Sequence, residues 1–385
     1  MNMKQTMAFM AFLLSISLSY GQELDTLKLY SQAFNQERTV YVHKPKFYKY
    51  KSDAVKLPVI YLLDGQHEWF VNPLLSDIQY LQYTKEIPQA IVVVIPLEQR
   101  NTECGIVDLH TKLPLDTFIT KELDPVLQKY HPNDFKLIIG HSFSASFALY
   151  SYYRHPEYYA GVIANTPFDE MNLLVKGFME QDPSVRKGIS ISIGGIANSK
   201  DYYHRKNYEQ LKRDYPGFFN SIQVFEANYS AHNAVPIVAT PTLLTAVFES
   251  FRSRYNHIAK VDDSYTLTSQ PQSLAQELEH LQQASTIGPY AYPPEIADIN
   301  GIASRYWNNQ LEAYAVEIYK LGVSYYPKYY EFYLSLYELT FPTNKEASKA
   351  YLEKAESLLL RVEGHWDGKN DLLDAIQVEK SKNGW

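Results

Sequence analysis

The sequence predicts an α/β protein in which a mostly parallel sheet is covered by helices on both faces, followed by a small all-helical region. Between about residue 25 and residue 255, short apolar runs alternate with amphipathic segments, the pattern of parallel strands separated by helices. From residue 296 onward there are no strand signals and helical periodicity continues. With 385 residues, of which 45% are hydrophobic, the chain can form a large core and two domains.

Seven apolar runs in the first region are predicted as strands, because each is short and bounded by turn residues or polar segments. They comprise residues 38–43, 57–63, 90–95, 137–139, 161–164, 189–193 and 222–225. Amphipathic helices are predicted between them at residues 118–130, 144–153 and 203–214.

The first residues have the pattern of an export signal. Lys4 precedes an apolar segment from Met7 to Leu18, and the small residues Ser19 and Gly21 suit a signal-peptidase site. About a dozen apolar residues are too few to span a bilayer comfortably, and no other run of membrane length follows. We therefore expect a signal peptide and a periplasmic or secreted protein, with an uncleaved anchor as the alternative.

The amino-acid composition limits the classes of molecule that the protein is expected to bind. The formal net charge of −7 argues against nucleic acid and anionic membrane as main partners. Cys104 is the only cysteine, so no intrachain disulfide can form. The 33 tyrosines either pack with their hydroxyls at the surface or form platforms for sugars and phenolic ligands. We predict no cofactor and no metal.

The most informative motif is Gly140-His141-Ser142-Phe143-Ser144, which follows an apolar strand and precedes a helix rich in small residues. A strand, a tight turn and a helix would project the serine hydroxyl towards a histidine base and beside unpaired backbone N–H groups. Ser142 is therefore the candidate nucleophile. Because Ser144 stands where the G-x-S-x-G pattern has its second glycine, close strand-to-helix packing without catalysis is the alternative interpretation.

The last part of the chain carries a weak helical repeat. Ala315, Gly322 and Pro327 have the spacing of the second helix of a tetratricopeptide repeat, and Ala355 lies in register with Gly322, close to the 34-residue period. So few hairpins should dock on the first domain or pair with another chain. The chain thus divides into a signal peptide at 1–21, an α/β domain at 22–255, a linker with one helix at 256–295 and a tetratricopeptide-like helical domain at 296–385.

Six sequence blocks of the first domain together are more specific than the serine motif alone. They are Glu37–Pro45, Leu57–Gly65, Ile87–Ile95, Phe118–Tyr130, Leu137–Tyr150 and Ser230–Phe251. With these blocks, residues 25–255 resemble the Putative esterase family of α/β-hydrolases, which includes esterase D, feruloyl esterases and siderophore esterases. The resemblance implies an α/β-hydrolase sandwich and an ester-hydrolysing activity.

The resemblance also implies roles for individual residues. Ser142 would be the nucleophile and His232 its general base, in the chain order of α/β-hydrolases. Phe143 would donate its backbone N–H to the oxyanion, because it starts the helix after the nucleophile. Gly65 or Gln66 would supply the second donor. The residues expected to line the substrate pocket are His67, Trp69, Arg100 and His141.

One family feature is missing from its expected place. The family acid usually follows the strand at 189–193 in a G-x-x-[DE] arrangement, but residues 194–198 are Gly-Gly-Ile-Ala-Asn. Asp201 is the nearest carboxylate. It is either the acid that orients His232 or only the cap of the following helix, and a third possibility is a dyad of Ser142 and His232 without an acid.

Two classes of function stay open. The first is an exported serine esterase that forms an acyl-enzyme on Ser142, which water resolves with His232 as base. Its substrate would be an acylated glycan, a small ester or a siderophore lactone, and the negative net charge disfavours an anionic ferric siderophore. The second is a degenerate hydrolase fold that binds a ligand or partner through the tail, as Ser144 and the missing acid suggest. We favour the enzyme because Ser142 and His232 are both in register.

Overall fold

The computed structural model describes residues 23–168, 170–195, 201–362 and 368–385. At its centre lies an eight-stranded sheet whose strands are β1 (Glu23–Ser31), β2 (Gln36–Lys44), β3 (Leu57–Leu62), β4 (Ile91–Val94), β5 (Pro132–His141), β6 (Gly161–Asn165), β7 (Ile189–Ile193) and β8 (Gln223–Glu226). Their spatial order is β1-β2-β4-β3-β5-β6-β7-β8.

The sheet is mostly parallel, which confirms the predicted fold class. β1 pairs antiparallel with β2, and β2 antiparallel with β4, whereas every pairing from β4 across to β8 is parallel. Parallel strands end at a common edge, so the loops after β3, β5, β7 and β8 meet there. The candidate site lies at this edge of the sheet.

Helices cover both faces of the sheet. They are α1 (Glu68–Tyr83), α2 (Arg100–Cys104), α3 (the helical segment 114–130), α4 (Phe143–Arg154), α5 (Met171–Glu180), α6 (Tyr202–Asp214), α7 (Pro216–Phe219), α8 (Val235–Val247) and α9 (Glu249–Ser253). Within α3, the stretch Phe118–Leu123 is π-helical and the following turn carries Pro125. Proline lacks the N–H that a regular α-helix needs, so the backbone hydrogen bonds of the helix change register there.

Strand β3 is apolar throughout because its alternate residues are buried on opposite faces of the sheet. Val59 and Tyr61 belong to the apolar cluster on one face of the sheet, whereas Ile60 and Leu62 belong to the cluster on the other. All residues of β3 are buried. A strand covered on both faces loses the alternation of polar and apolar residues, as the sequence analysis assumed.

The strand that sequence analysis missed is β1, at the edge of the sheet. Its residues are mostly half-buried or exposed, and Leu27 and Ser31 are its buried members. An edge strand packs on one face only, so it lacks the apolar run by which the inner strands were recognised. β5 was found but is longer than the predicted residues 137–139.

In the carboxyl-terminal part, all described elements from residue 296 onward are helices, as predicted, and one helix and a two-stranded ribbon precede them. Its elements are α10 (Leu274–Ala284), the two-stranded ribbon of β9 (Thr286–Ile287) and β10 (Tyr290–Ala291), α11 (Ile296–Asn308), α12 (Glu312–Tyr325), α13 (Tyr330–Thr340), α14 (Lys345–Leu360) and α15 (Gly368–Asn383). A Cβ on Gly322 would lie 2.8 Å from side-chain atoms of both Ile299 and Phe332. The small residue therefore lets three helices pack closely. The tetratricopeptide assignment and the domain boundaries stay predictions.

This helical tail docks on the α/β domain. The backbone N–H of Ser52 donates to the Tyr325 carbonyl at 2.7 Å, and the N–H of Gln89 donates to Glu295 Oε1 at 2.7 Å. Phe135 packs against Tyr290 with ring centroids 5.0 Å apart. Polar and aromatic contacts thus join the two parts of the chain.

Two observations bear on membranes and export. Within the described ranges, no helix combines the length and the apolar character that crossing a bilayer requires. The expected signal peptide at residues 1–21 lies outside the described residues, so it stays a prediction.

Candidate active site

Ser142 sits at a sharp turn between β5 and α4. Its backbone has φ 60° and ψ −119°, a conformation that a non-glycine residue rarely adopts. Gly140 permits the turn, because a Cβ there would lie 2.3 Å from the carbonyl oxygen of Ser144. The predicted strand-turn-helix arrangement is present, and the turn leaves Ser142 8% exposed.

Ser144, which replaces the second glycine of the pattern, ties this elbow to the neighbouring strand end. Its Oγ accepts a hydrogen bond from the backbone N–H of His141 at 2.8 Å and donates to Asp64 Oδ2 at 2.6 Å. Ser144 and Asp64 are both fully buried. The departure from glycine is thus accommodated by a hydrogen-bond network that leaves the turn intact.

Arg100 completes that network. Its Nε lies 2.5 Å from Asp64 Oδ1, and its Nη2 donates to Asp64 Oδ2 at 3.0 Å and to the His141 carbonyl at 2.6 Å. Burial acts to lower the pKa of Arg100, but the hydrogen bond and charge of Asp64 outweigh it and raise that pKa. Although Arg100 was expected to line the substrate pocket, its guanidinium clamps the ends of β3 and β5 together.

His232 opens the short helical turn His232–Ala234 before α8, and its ring contacts Asp201. His232 Nδ1 lies 2.8 Å from Asp201 Oδ1, and Asp201 Oδ2 accepts a hydrogen bond from the Gly194 N–H at 2.6 Å. Burial acts to raise the pKa of Asp201, but hydrogen bonds and charges of the two histidines beside it lower it below its ordinary value. The carboxylate is therefore ionised at neutral pH.

The helix-cap interpretation of Asp201 can be compared directly with this geometry. Asp201 is the residue before the first turn of α6, yet its side chain makes no capping hydrogen bond. Instead, Oδ2 accepts a hydrogen bond from Gly194 after β7, and Oδ1 contacts His232. The sequence could not decide this, because residues 194–198 lack the G-x-x-[DE] signature of the family.

His204 is a site residue that the sequence analysis missed. Its Nδ1 lies 3.0 Å from Asp201 Oδ1, and its ring stacks on that of His232 with centroids 4.2 Å apart at 22°. The signal was its position three residues after Asp201, which places both on one helical turn. These three side chains are close enough to share a metal ion.

His141, which precedes Ser142 in the elbow, contacts His232, the candidate base. The His141 and His232 ring centroids are 4.5 Å apart, and His141 Nε2 lies 3.2 Å from the His232 carbonyl oxygen. Burial, followed by the charge of His232, lowers the pKa of His141 to about 3, so its ring is uncharged at neutral pH. Among the described residues no hydrogen bond joins Ser142 Oγ to His232. Such bonds are often long in free enzymes and tighten with substrate.

Aromatic rings surround the mouth of the site. Trp69 is 46% exposed, and its ring stacks on His67 with centroids 5.4 Å apart. On the other side Phe168 is 43% exposed and meets Phe143 edge to face at 6.0 Å. These flat apolar surfaces suit the acyl or ring parts of an organic ester.

The two candidate oxyanion donors after β3 differ in availability. The Gly65 N–H already donates to the Ile95 carbonyl at 3.0 Å. In the described part of the chain, no acceptor is bound to the backbone N–H of Gln66 or of Phe143. A carbonyl oxygen at Ser142 would therefore find free donors at Gln66 and Phe143, whereas Gly65 would have to break a backbone hydrogen bond.

Comparisons with solved structures show the same fold at low sequence identity. A serine hydrolase from Shewanella oneidensis, described as IroE-like, has a TM-score of 0.55 and 18% identity, covering 78% of this chain and 98% of its own. An uncharacterised protein from Capnocytophaga ochracea has a TM-score of 0.53 and 17% identity, covering 92% of this chain and 100% of its own. The second match extends into the helical tail. Among curated proteins, no sequence match is found.

Residues 31–193 match the Putative esterase family. The matched segment contains the elbow, the clamp of Asp64 and Arg100, and the oxyanion candidates, and it ends before Asp201 and His232. Through its α/β domain, the chain therefore resembles the Putative esterase family, and this match supports a carboxylic ester hydrolase activity.

Proposed function

We propose that this protein is an exported serine esterase that forms an acyl-enzyme on Ser142, with His232 as general base and Asp201 as the acid that orients it. The observation that carries the proposal is the 2.8 Å contact between His232 Nδ1 and Asp201 Oδ1, beside a serine in a strained turn. In an acyl transfer, the serine would be the nucleophile, the histidine would take its proton, and the aspartate would orient the histidine.

The proposed reaction has two halves. Ser142 Oγ attacks the ester carbonyl carbon while His232 Nε2 takes the hydroxyl proton, and the oxyanion is bound by the N–H groups of Phe143 and Gln66. The imidazolium, held by Asp201, then protonates the leaving alkoxide. In the second half water loses a proton to His232 and attacks the acyl carbon, after which Ser142 regains its proton and the carboxylic acid leaves.

Three substrate classes suit such a site: an acylated glycan, a small ester and a siderophore lactone. Asp64 neutralises the charge of the Arg100 guanidinium, which weakens its attraction for an anionic substrate. The net charge of −7 acts in the same direction. We therefore place an uncharged ester, small or carried on a glycan, ahead of an anionic ferric siderophore.

The alternative, a degenerate hydrolase fold that only binds a ligand or partner, rested on two sequence features. Ser144 does not break the elbow, because its hydroxyl is bound on both sides. A carboxylate also contacts His232, although it arrives from a later position than the family pattern predicts. Both features therefore have an explanation that is compatible with turnover.

A fluorophosphonate probe tests the proposal. The intact mass of the wild-type protein should rise by one probe adduct, because the probe reacts with an activated serine, while Ser142→Ala should stay unlabelled. Ser76→Ala, which changes an exposed serine in helix α1, is the matched control and should label fully. A folded wild-type protein that takes up no probe and hydrolyses no p-nitrophenyl ester would support the binding-module alternative.

A further inference from the structure

A pocket lies against the second half of α1, and its described lining contains none of the proposed catalytic residues. Its volume is about 340 Å³, at the lower end of the range for pockets that hold small organic ligands. The exposed face of α1 forms one wall, which includes Gln79, Tyr80 and Tyr83. The proposed ester hydrolysis gives this pocket no role.

The wall on α1 presents two aromatic rings to solvent. Tyr80 is 66% exposed and Tyr83 is 69% exposed, and a spacing of three residues makes them neighbours on the helix surface. A tyrosine ring offers a flat apolar face with a hydroxyl at one edge. Such a face packs well on the C–H face of a pyranose ring whose hydroxyls are equatorial, because those hydroxyls then point sideways to polar groups.

Buried amides supply polar groups to the same pocket. Gln82 and Gln89 both line it and are both buried. Gln89 Nε2 donates to the Gln82 carbonyl at 3.4 Å, whereas Gln89 Oε1 is buried and accepts no hydrogen bond from the described residues. A buried amide oxygen without a donor is unfavourable and uncommon. A ligand hydroxyl that reaches this part of the lining would supply the donor.

The charge of the lining favours a neutral ligand over an anion. Lys46 lines the pocket, with its Nζ 5.7 Å from the centroid of the Phe47 ring, and none of the other described lining residues is charged. Binding of an anion usually relies on several charge-assisted hydrogen bonds, often from arginine. One lysine among amides and tyrosines suits hydroxyl groups better.

The helical tail holds two sides of the pocket in place. Phe47 packs edge to face on Tyr329 with ring centroids 6.5 Å apart. The backbone N–H of Gln89 donates to Glu295 Oε1 at 2.7 Å. Because both contacts are made by the protein itself, a ligand does not have to order these residues, which lowers the entropic cost of binding.

We propose that this pocket is a second ligand site, which binds a neutral glycan of β-1,4-linked pyranose rings and takes no part in bond cleavage. Tyr80 and Tyr83 stack on the sugar rings, and the amides of Gln79 and Gln89 bind their hydroxyls. Binding here does not depend on turnover at Ser142, so it goes beyond the proposed function.

The pocket and the mouth of the active site lie along one face of α1. Tyr80 and Tyr83 follow Trp69 by 11 and 14 residues, a spacing that returns to the same side of a helix. The 11 residues from Trp69 to Tyr80 correspond to about 16 Å along the helix axis. A glycan of several rings can therefore occupy the pocket while another part of it reaches the mouth of the site.

Isothermal titration calorimetry of the wild-type protein with cellohexaose and with xylohexaose tests the site. At least one hexaose should bind, and Tyr83→Ala or Gln89→Met should weaken that binding about tenfold or more. Gln89→Met keeps the length of the side chain and removes its amide. Tyr265→Ala, which removes a loop tyrosine that is also 69% exposed, is the matched control and should bind as the wild type does.

Three results would overturn the inference. The first is that neither hexaose binds, and the second is that Tyr83→Ala and Gln89→Met, shown to be folded by circular dichroism, bind as tightly as the wild type. The third is loss of binding between about 0.05 M and about 0.5 M salt, which would indicate an ionic site around Lys46. Because the hexaoses carry no ester, failure of the proposed function would leave these titrations unchanged and would appear instead as a wild-type protein that takes up no fluorophosphonate.

Discussion

From the sequence, Asp201 could either cap helix α6 or contact His232. In the structure its carboxylate contacts His232. Asp201→Asn should therefore lower kcat by a factor of about 100 to 10,000, because an amide can stabilise the wrong tautomer of His232 and does not stabilise the imidazolium. The measurement is ester hydrolysis beside a thermal melt.

Asp214→Asn is the matched control for this substitution, since Asp214 lies at the exposed other end of the same helix, α6. It should leave kcat unchanged. Activity of Asp201→Asn within a few fold of wild type would instead favour a dyad of Ser142 and His232.

Ser142 and His232 should behave as one unit. Ser142→Ala and His232→Ala should each reduce kcat by at least about a thousandfold, and the double variant should be little slower than either. The reason is that removal of the nucleophile leaves the base with no proton to take. Rates of p-nitrophenyl ester hydrolysis for the three variants decide the point, and losses that multiply would mean that the two residues do not cooperate.

The elbow, as an element, is held by side chains as well as by its turn. Ser144→Gly restores the family glycine but removes the partner of a buried carboxylate and of a buried N–H group. We expect it to lower the free energy of unfolding by about 1–3 kcal/mol more than a glycine in a helix costs by itself. Urea unfolding of Ser144→Gly and of Ser76→Gly, an exposed helical control, measures the difference. Equal losses in the two variants would contradict this role of Ser144.

Two buried groups in different elements should give the free energy of unfolding opposite pH dependences. His141, at the end of β5, has its pKa lowered by burial from 6.5 to about 3, so the unfolded chain binds more protons and stability rises with pH in that window. Glu295, the residue that caps α11, has its pKa raised by burial and by Asp298 from 4.5 to about 7. The native state then binds more protons, and stability falls as pH rises through that window.

Between pH 4.5 and pH 6.5 these two effects oppose each other, so they should largely cancel in the wild type. His141→Phe, which keeps a ring against Phe70, should leave a free energy of unfolding that falls with pH. Glu295→Gln should leave one that rises, each by about 1 kcal/mol per pH unit. Urea unfolding across this range gives the slopes, and slopes of the same sign in both variants would refute the assignment.

At the scale of the whole molecule, the helical tail and the α/β domain share packed surface. Phe135 packs against Tyr290 and Tyr292, and Tyr50 packs against Tyr329 with centroids 5.3 Å apart. A chain ending at residue 255 should keep the site, because every proposed catalytic residue precedes that point. It should express poorly and lose more than about 5 kcal/mol of unfolding free energy, since several buried rings become exposed.

The controls for this truncation separate folding from catalysis. A chain ending at Val362 loses only α15, which packs on the distal part of the tail, and should keep the stability of the α/β domain. Active sites are counted with the fluorophosphonate probe, so that rates refer to folded protein. If the shorter chain folds, as judged by circular dichroism, yet hydrolyses no ester, then the tail supplies part of the site and the boundary at residue 255 is wrong.

The sequence by itself determined the features that depend on neighbouring residues. The apolar runs predicted seven of the eight strands of the sheet, because inner parallel strands are buried on both faces. The sequence Gly140 to Ser144 predicted the elbow, because a close approach of the chain to itself requires glycine at its start. The edge strand β1 was missed, since one-sided burial leaves a weaker pattern.

Only the tertiary structure decided how distant side chains pair. Asp201 and His232 are 31 residues apart in sequence, and Asp64 and Arg100 are 36 apart, yet each pair lies within hydrogen-bond distance. The ends of parallel strands bring such residues to one edge of the sheet, and the strand order cannot be read from local patterns. That is why the partner of the base, the second histidine on its acid and the engagement of Arg100 emerged from the fold rather than from the sequence.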